Sequence, residues 1–579
     1  MTSLGASPVV VVAAERELSP TSRIWGTGAW LMPGQREALD WLTLARLLGW
    51  DVTVCHVNHA GRLENRMPSL ARVIVIACDP ESIDEETAAV IAARLASEDI
   101  LVVSRAARAG CALAKIAAAS TTGDSFSPRT IEWRGPGSPG SILFKNPFQA
   151  RRLAVDGAQV WAVAGDVPVV VARADGRGVV VTLGFHPSEL RDADPSGTAF
   201  IRNLLTWGSP GGAAWLDFDD TLVLRMDDPG GAQNIYSRAW SYPKLPATAW
   251  VAIGADLAAR SARISLAYVA GWVDDGDEMR GRLTLGEQVV ARRPGAVYPS
   301  PLVRYQDVAG HSPGTVHDYR SEFDGIQDLR RSGIADVELH GYTHMHPDTD
   351  AWCRAADRFD TWPATSWFRE FGPAAARSLE TRSADDHPLS RALTLFREFF
   401  DAMPTTLISP GDQWTDATLE RALDLGLRLV DSYYLAVRHQ DRFCWAQHVC
   451  APYLNRPDAA WFASGLPVVG YFHDQEIAVE GVSWMSGWLD RWQEAGARRL
   501  IDFRELAAAV GCRLTLEGDV EQLRLTVDRE APAPVRAIPI RLRAEALPAR
   551  LTVFINGQSS DVDIIRRQDG TGLVWLPVN

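Results

Sequence analysis

Lysine is nearly missing from this chain. Among 579 residues only Lys115, Lys145 and Lys244 carry it, and nearly all of the 58 basic residues are arginine. That preference reads as a coding bias without functional content. Basic charge as a whole is in deficit: 72 acidic residues leave a formal net charge of -14 and a pI near 5.4. A nucleic-acid partner needs a basic surface and a polybasic membrane anchor needs the same, so neither is expected. Cysteine is sparse too. Cys55, Cys78, Cys111, Cys353, Cys444, Cys450 and Cys512 form no CxxC pair and are odd in number. Neither a disulfide framework nor a thiolate zinc site is expected, and reduced thiols fit a cytoplasmic protein. Long apolar runs are absent as well. Pro8–Ala14 is apolar but too short to span a bilayer. It has no basic stretch before it and no small-residue cleavage site close behind, so it reads as a buried first strand and not as a signal peptide.

What is present is an ordinary globular composition, 46% hydrophobic and 22% charged. Single cores stop growing at roughly 250–300 residues, so two to four domains are expected. From 1 to about 210, strand-like and helical segments alternate. Pro8–Ala14, Asp51–Val57, Arg72–Cys78 and Asp99–Ser104 read as strands, Gln35–Leu48 and Glu85–Ala96 as helices. Val160–Ala164, Val167–Ala172 and Gly178–Gly184 look antiparallel, with Gly-Asp and Asp-Gly turns between them. A helix over Thr198–Trp207 closes the unit, and Gly208–Gly212 is a linker. Such alternation means an open α/β domain. From 511 to 579 the short runs Arg513–Leu516, Gln522–Val527, Ile538–Arg543, Leu551–Ile555 and Leu573–Leu576 predict a small β-sandwich-like unit. The element order of 1–210 resembles the glutamine-amidotransferase-like, flavodoxin-like accessory domains. That family's nucleophile sits in a Gly-x-Cys-x-Gly elbow. Cys111 stands in Ala109-Gly110-Cys111-Ala112-Leu113, without the second glycine, so it reads as a small buried residue and no glutaminase activity is expected.

The chemistry collects between 213 and 510. Glu338-Leu339-His340-Gly341-Tyr342-Thr343-His344 follows a strand-like segment. Two imidazoles four residues apart can reach one ion, and neutral imidazole suits zinc and its neighbours. The plainer alternative is a loop whose histidines serve as hydrogen-bond partners. Leu222–Met226 runs directly into Asp227-Asp228-Pro229-Gly230. Adjacent carboxylates after a strand repel unless an ion or hydrogen bonds compensate; the alternative is a turn with a capping aspartate. Thr405–Ile408 leads into Ser409-Pro410-Gly411-Asp412, and Val468–Phe472 into His473-Asp474.

This order of motifs resembles the NodB-type polysaccharide deacetylases, over about 213–510. The resemblance implies a distorted (β/α) barrel, flanked by the flavodoxin-like and β-sandwich-like units, that removes acetyl groups from N-acetylated amino sugars. It implies Asp227 as general base and Asp228, His340 and His344 as ligands of one divalent transition ion, zinc first. It further implies His473 as the catalytic acid, a Gly411 N–H toward the oxyanion, and Asp431 as a carboxylate tuning the acid histidine. Ile408 stands where the family keeps an arginine that orients the base, and Arg225 is a candidate replacement. Gly411 stands where the family has an aromatic, and Gly341 where it has a hydroxyl residue. The stretch from Asp228 to His340 is long, which predicts an insertion.

Phe218-Asp219-Asp220-Thr221 looks like a rival to the Asp227 pair, but Ala213–Phe218 is a poor strand and Asp217, Asp219 and Asp220 crowd as in a solvated turn. Trp272-Val273-Asp274-Asp275 follows another strand, so Trp272, Asp274 and Asp275 are expected to line the substrate cleft. Twenty-one tryptophans are many; most are expected in cores, with Trp414 facing a carbohydrate substrate. The alternatives to deacetylation are hydrolysis of another amide or of a glycosidic bond, and a carbohydrate-binding module with a decayed site.

Overall fold

The computed structural model describes residues 9–576 apart from 15, 17, 19–20, 26–29, 35, 138–139, 194, 237, 351–365, 433, 447–448, 452–456, 463, 518–522 and 531–535. It is a mixed α/β structure of several sheets. Cys353 lies outside the described residues, and Cys55, Cys78, Cys111, Cys444 and Cys512 are free thiols. No helix among the described residues is long and apolar enough to cross a membrane.

Val9–Ala13 is buried on both faces, as a β-branched run inside a parallel sheet must be. It pairs in parallel with Val52–His56 and Val73–Ile76, and Leu101–Arg105 follows. Gly178–Leu183 pairs in parallel with Leu101–Arg105 on one side and antiparallel with Val167–Asp175 on the other. The sequence foresaw only the antiparallel side. The helices Glu37–Leu47, Glu85–Ser97 and Pro195–Gly208 stand close to their expected spans.

The central sheet positions the chemistry. Its parallel strands run in the order Leu429–Asp431, Thr406–Ile408, Ala335–Leu339, Ile264–Val269, Thr221–Gly230 and Val468–His473. Arg499–Ile501 also pairs with the start of Thr221–Gly230. All these strands point the same way, so the residues at their carboxyl ends meet along one edge. That edge is where open and closed parallel sheets place their sites. The helix Tyr319–Arg331 buries Phe323, Ile326 and Leu329 against this unit. Asp318 caps it by accepting from Ser321 N–H at 2.9 Å. The long stretch before His340 does hold inserted structure. It consists of a four-stranded antiparallel sheet within Gly281–Asp318 and the pair Gly271–Val273 with Val297–Pro299.

Two four-stranded sheets gather the C-terminal strands, including Gln558–Asp563 and Ile565–Arg566, which the sequence reading missed. One of them takes Ala213–Leu216 as an edge, paired antiparallel with Ile538–Arg543. This corrects the reading of Ala213–Phe218 as a poor strand. Its partner lies more than three hundred residues away, beyond the reach of any local pattern. Asp217 is not in a solvated turn either. It is buried, with Arg541 Nε at 3.2 Å, and Arg541 Nη2 donates to Asp219 at 2.8 Å.

Candidate metal centre

Thr221–Gly230 is buried along its whole length. Its end brings in Asp227 and Asp228, and its register sets Asp227 opposite His473 on the neighbouring strand. His340 follows Leu339 at the end of the next strand but one, and His344 follows a tight turn later. Side-chain atoms of Asp228, His340 and His344 all lie within 4.8 Å of one another, and all three residues are buried. Asp228 Oδ1 is 3.3 Å from His340 Nε2 and 3.4 Å from His344 Nε2. A tetrahedral ion with bonds of about 2.0–2.2 Å spaces its ligands roughly 3.3–3.6 Å apart, so the spacing fits such an ion. Asp228 Oδ1 is buried with no hydrogen-bond partner among the described residues, which is costly unless a cation answers it. His340 Nδ1 lies 2.9 Å from the Ile408 carbonyl. A proton on Nδ1 donates there, and Nε2 keeps its lone pair for a ligand role. This buried group can hold a metal ion.

The two histidines are shifted in opposite directions: burial alone would lower His340, but Asp228 and Asp227 outweigh it and raise that imidazole. Burial by itself would raise the Asp228 carboxyl, yet His344, His340 and His473 hold it well below the usual carboxylate range. Burial pushes His344 down to about 4, the neutral form that binds metals.

Two of the three residues have left-handed backbones, Asp228 at φ 77° and His344 at φ 64°. Such conformations are uncommon outside glycine and are kept where the surroundings over-determine them. The His344 turn is held by Glu370, which accepts the N–H groups of Tyr342 at 2.8 Å, Thr343 at 3.1 Å and His344 at 3.3 Å. Gly341 is explained by the same carboxylate. At its φ of 75°, a Cβ would lie 2.2 Å from Glu370 Oε2. Glu370 was missed by sequence reasoning, because its partners are backbone amides and no spacing announces them.

Arg225 and Asp227 are two residues apart on one strand and so share a face. Arg225 Nη2 donates to Asp227 Oδ2 at 2.8 Å, and Nε lies 2.8 Å from Oδ1. Arg225 Nη1 reaches Asp431, and the guanidinium lies 4.2 Å above the Tyr471 ring. Asp431, which the resemblance made a tuner of the acid histidine, is thus engaged by the arginine. The carboxylate facing the His473 ring is Glu476, with Oε1 3.6 Å from Nδ1, while Oε2 accepts the His473 N–H at 2.7 Å. Burial would lower His473, but Glu476, Asp228 and Asp227 outweigh it and raise the imidazole to about 9. Trp240 meets the His473 ring edge-on at 5.1 Å. It is partly exposed, as is Phe368, which stacks on His344 with ring centroids 6.2 Å apart.

Gly411 sits at φ 59°, where a Cβ would fall 2.6 Å from Arg369 Cγ and 2.9 Å from the Phe368 ring. An aromatic in its place would have no room. Asp412 beside it is raised to about 6, first by burial and then by Asp227 and Asp431, with Arg225 opposing.

Other expected site residues are placed elsewhere. Trp272 is fully buried beside Tyr305, ring centroids 5.7 Å apart. Asp274 accepts from Arg292 Nε and from Arg293 N–H at 2.7 Å each, and Asp275 pairs with Arg292 as well. These residues fold the insertion because the buried guanidinium needs both carboxylates. Trp414 is buried and stacks on Trp445 at 4.8 Å.

No family model and no curated protein matches the chain. Among solved structures, it is similar to a CE4 family pseudoenzyme from Bacillus anthracis, with 8% identity over 50% of this chain and 66% of that one and a TM-score of 0.25. It is similar to an exo-β-1,4-mannosidase from Opitutaceae bacterium strain TAV5, with 13% identity over 35% of this chain and a TM-score of 0.23. A β-galactosidase from Halorubrum lacusprofundi is 18% identical over 37% of this chain, with a TM-score of 0.25. The chain spans about a third of the length of the mannosidase and of the galactosidase, 34% in each case. None of these superpositions reaches correspondence of whole folds.

Proposed function

We propose that this chain is a metal-dependent hydrolase that removes acetyl groups from an N-acetylated amino-sugar substrate. We further propose that it does so with a barrel-like unit over about 213–510, flanked by an α/β accessory domain over 1–210 and a β-sandwich-like domain over 511–579. The observation that carries the reading is the convergence of Asp228, His340 and His344 at ligand spacing, beside an Asp227 held by Arg225 and an adjacent His473.

Asp228, His340 and His344 would hold one divalent transition ion, zinc first. When bound, it would supply electrophilic polarisation of the amide carbonyl and acidify water. Asp227 is the general base. Arg225 aims its carboxylate, so it can take the proton as water attacks the acetyl carbon. His473 is the acid. Its proton goes to the sugar nitrogen as the C–N bond breaks, so the amine leaves neutral and the acetyl group departs as acetate. Asp431 braces Arg225, and Gly411 lies in the turn where an N–H could meet the developing oxyanion. The decayed-site alternative rested on Ile408 in the arginine position. Arg225 supplies a guanidinium to Asp227 from a different place, which removes that support.

The test is acetate release from N-acetylated amino-sugar oligomers by zinc-loaded protein, with Asp227→Asn and His340→Ala alongside. Asp227→Asn should lose on the order of a hundredfold in turnover and keep its metal; His340→Ala should lose the metal. Release of a reducing sugar without acetate would establish glycosidic hydrolysis in its place.

A further inference from the structure

Lysine is nearly absent from the chain, yet one of its three copies, Lys244, is wholly buried at the candidate site. Its Nζ donates to the Asp228 carbonyl at 2.8 Å and to Asp474 Oδ2 at 2.8 Å, and stands 3.6 Å from Glu322 Oε1. The side chains of Asp474 and Glu322 are as inaccessible as that of Lys244. The rings of Tyr242 and Tyr319 flank the ammonium at 5.4 and 5.6 Å, and the Tyr242 hydroxyl donates to Asp474 Oδ1.

This arrangement grips one short piece of backbone. The Asp228 carbonyl accepts from Lys244 and also from Gln233 Nε2 at 3.1 Å. Two residues on, Gly230 N–H donates to Glu322 Oε2 at 2.8 Å, and Gly231 N–H to Ser300 Oγ at 3.1 Å. Asp228 sits at φ 77°, a left-handed conformation uncommon outside glycine, and these contacts hold it there. Holding the carbonyl holds the Asp228 backbone and so the Cα–Cβ bond from which its carboxylate is carried toward His340 and His344. The second partner of the ammonium, Asp474, directly follows His473 and opens the helix Asp474–Glu480, which also carries Glu476 against the His473 ring. A single buried cation therefore ties the segment bearing a metal ligand to the segment bearing the acid.

Resting on the metal-hydrolase reading above, we propose that Lys244 is a positioning residue whose ammonium fixes Asp228 as a metal ligand and, through Asp474, fixes His473 relative to it. It touches neither substrate nor metal.

Lys244→Met keeps the stem and removes the charge, but leaves two buried carboxylates uncompensated, which endangers the fold. A second protein, Lys244→Met with Asp474→Asn and Glu322→Gln, removes those charges as well. Both are compared with wild type and His340→Ala for Zn2+ affinity by chelator competition, for fold by circular dichroism and thermal midpoint, and for kcat and KM. The triple variant should fold, bind Zn2+ at least about tenfold more weakly, as loss of an outer partner of a ligand does, and lose kcat with little change in KM. A folded triple variant with wild-type Zn2+ affinity overturns the proposal. So does a triple variant that cannot fold, which would make the ammonium a support of the fold alone. If His340→Ala loses Zn2+ while the Lys244 variants keep it, only the role of Lys244 falls. If wild type binds Zn2+ no better than His340→Ala, the metal reading falls and this inference with it.

Discussion

Arg225 holds Asp227 from two residues away on the same strand, with both carboxylate oxygens within 2.8 Å of its guanidinium nitrogens. The grip comes from inside the strand that carries the base and not from the Pro410 turn. That turn serves the metal ligands instead, because the Ile408 carbonyl just before it accepts from His340.

Arg225→Met should therefore abolish most turnover while sparing the metal. The variant leaves the buried Asp227 and Asp431 without their counter-ion, and loss of one partner of a buried pair costs about 3–5 kcal/mol. A lowered thermal midpoint should accompany the kinetic loss. Arg225→Lys offers a point charge in place of a fork and should recover stability more than kcat. Zinc content measured by elemental analysis should match wild type in both. Metal loss in either would show that Arg225 supports the ligands and not the base.

The pH dependence should carry His473 on its alkaline side. The folded chain raises this imidazole from 6.5 to about 9. The stabilisation that goes with its proton is therefore complete below about 6.5 and is lost as the pH climbs through about 9. Acetate release by the metal-loaded protein should also fall as the pH rises, because the acid form is the one that serves the leaving amine. A bound dication would draw the limb lower. Glu476→Gln removes the facing carboxylate and should move the limb to lower pH. An unmoved limb in Glu476→Gln would assign it to another group.

Asp219 and Arg541 test the rival carboxylate cluster. Arg541 spans Asp217 and Asp219 and joins the start of the central strand to the C-terminal sheets. Arg541→Met should lower the thermal midpoint, since buried Asp217 loses its guanidinium while Asp219 keeps Arg202, and Asp219→Asn should leave kcat near wild type. A thermal melt and an acetate assay on the same preparations decide it. Large loss of turnover in Asp219→Asn, with Asp227→Asn active, would transfer the base to the earlier pair.

What the sequence disclosed followed from period and adjacency. The Val9–Ala13 run, the Asp227-Asp228 pair at a strand end and the His340/His344 spacing are all local signals, and they survive because neighbouring residues in the chain act together. What it hid is non-local. Glu370 serves backbone amides, Lys244 serves a backbone carbonyl, and neither leaves a motif. Trp272 and Trp414 misled because a tryptophan near a loop looks the same in sequence whether its face meets a ligand or another ring. Gly341 and Gly411 looked like losses of family side chains. A Cβ at Gly341 would meet Glu370, and one at Gly411 would meet Phe368 and Arg369.

The pairing of Ala213–Leu216 with Ile538–Arg543 has a consequence for how the molecule is made. A ribosome that has just released the first of these strands still has more than three hundred residues to add before the second emerges. Until then, Ala213–Leu216 is an open edge, and Leu216 and Phe218 lack the C-terminal side chains they finally share a core with. Assembly of this region therefore waits until Ile538–Arg543 has emerged, and a nascent or truncated chain ending near 510 should be the species that chaperones hold and that aggregates. Pulse-labelled chains of that length should be retained by chaperones longer than full-length ones.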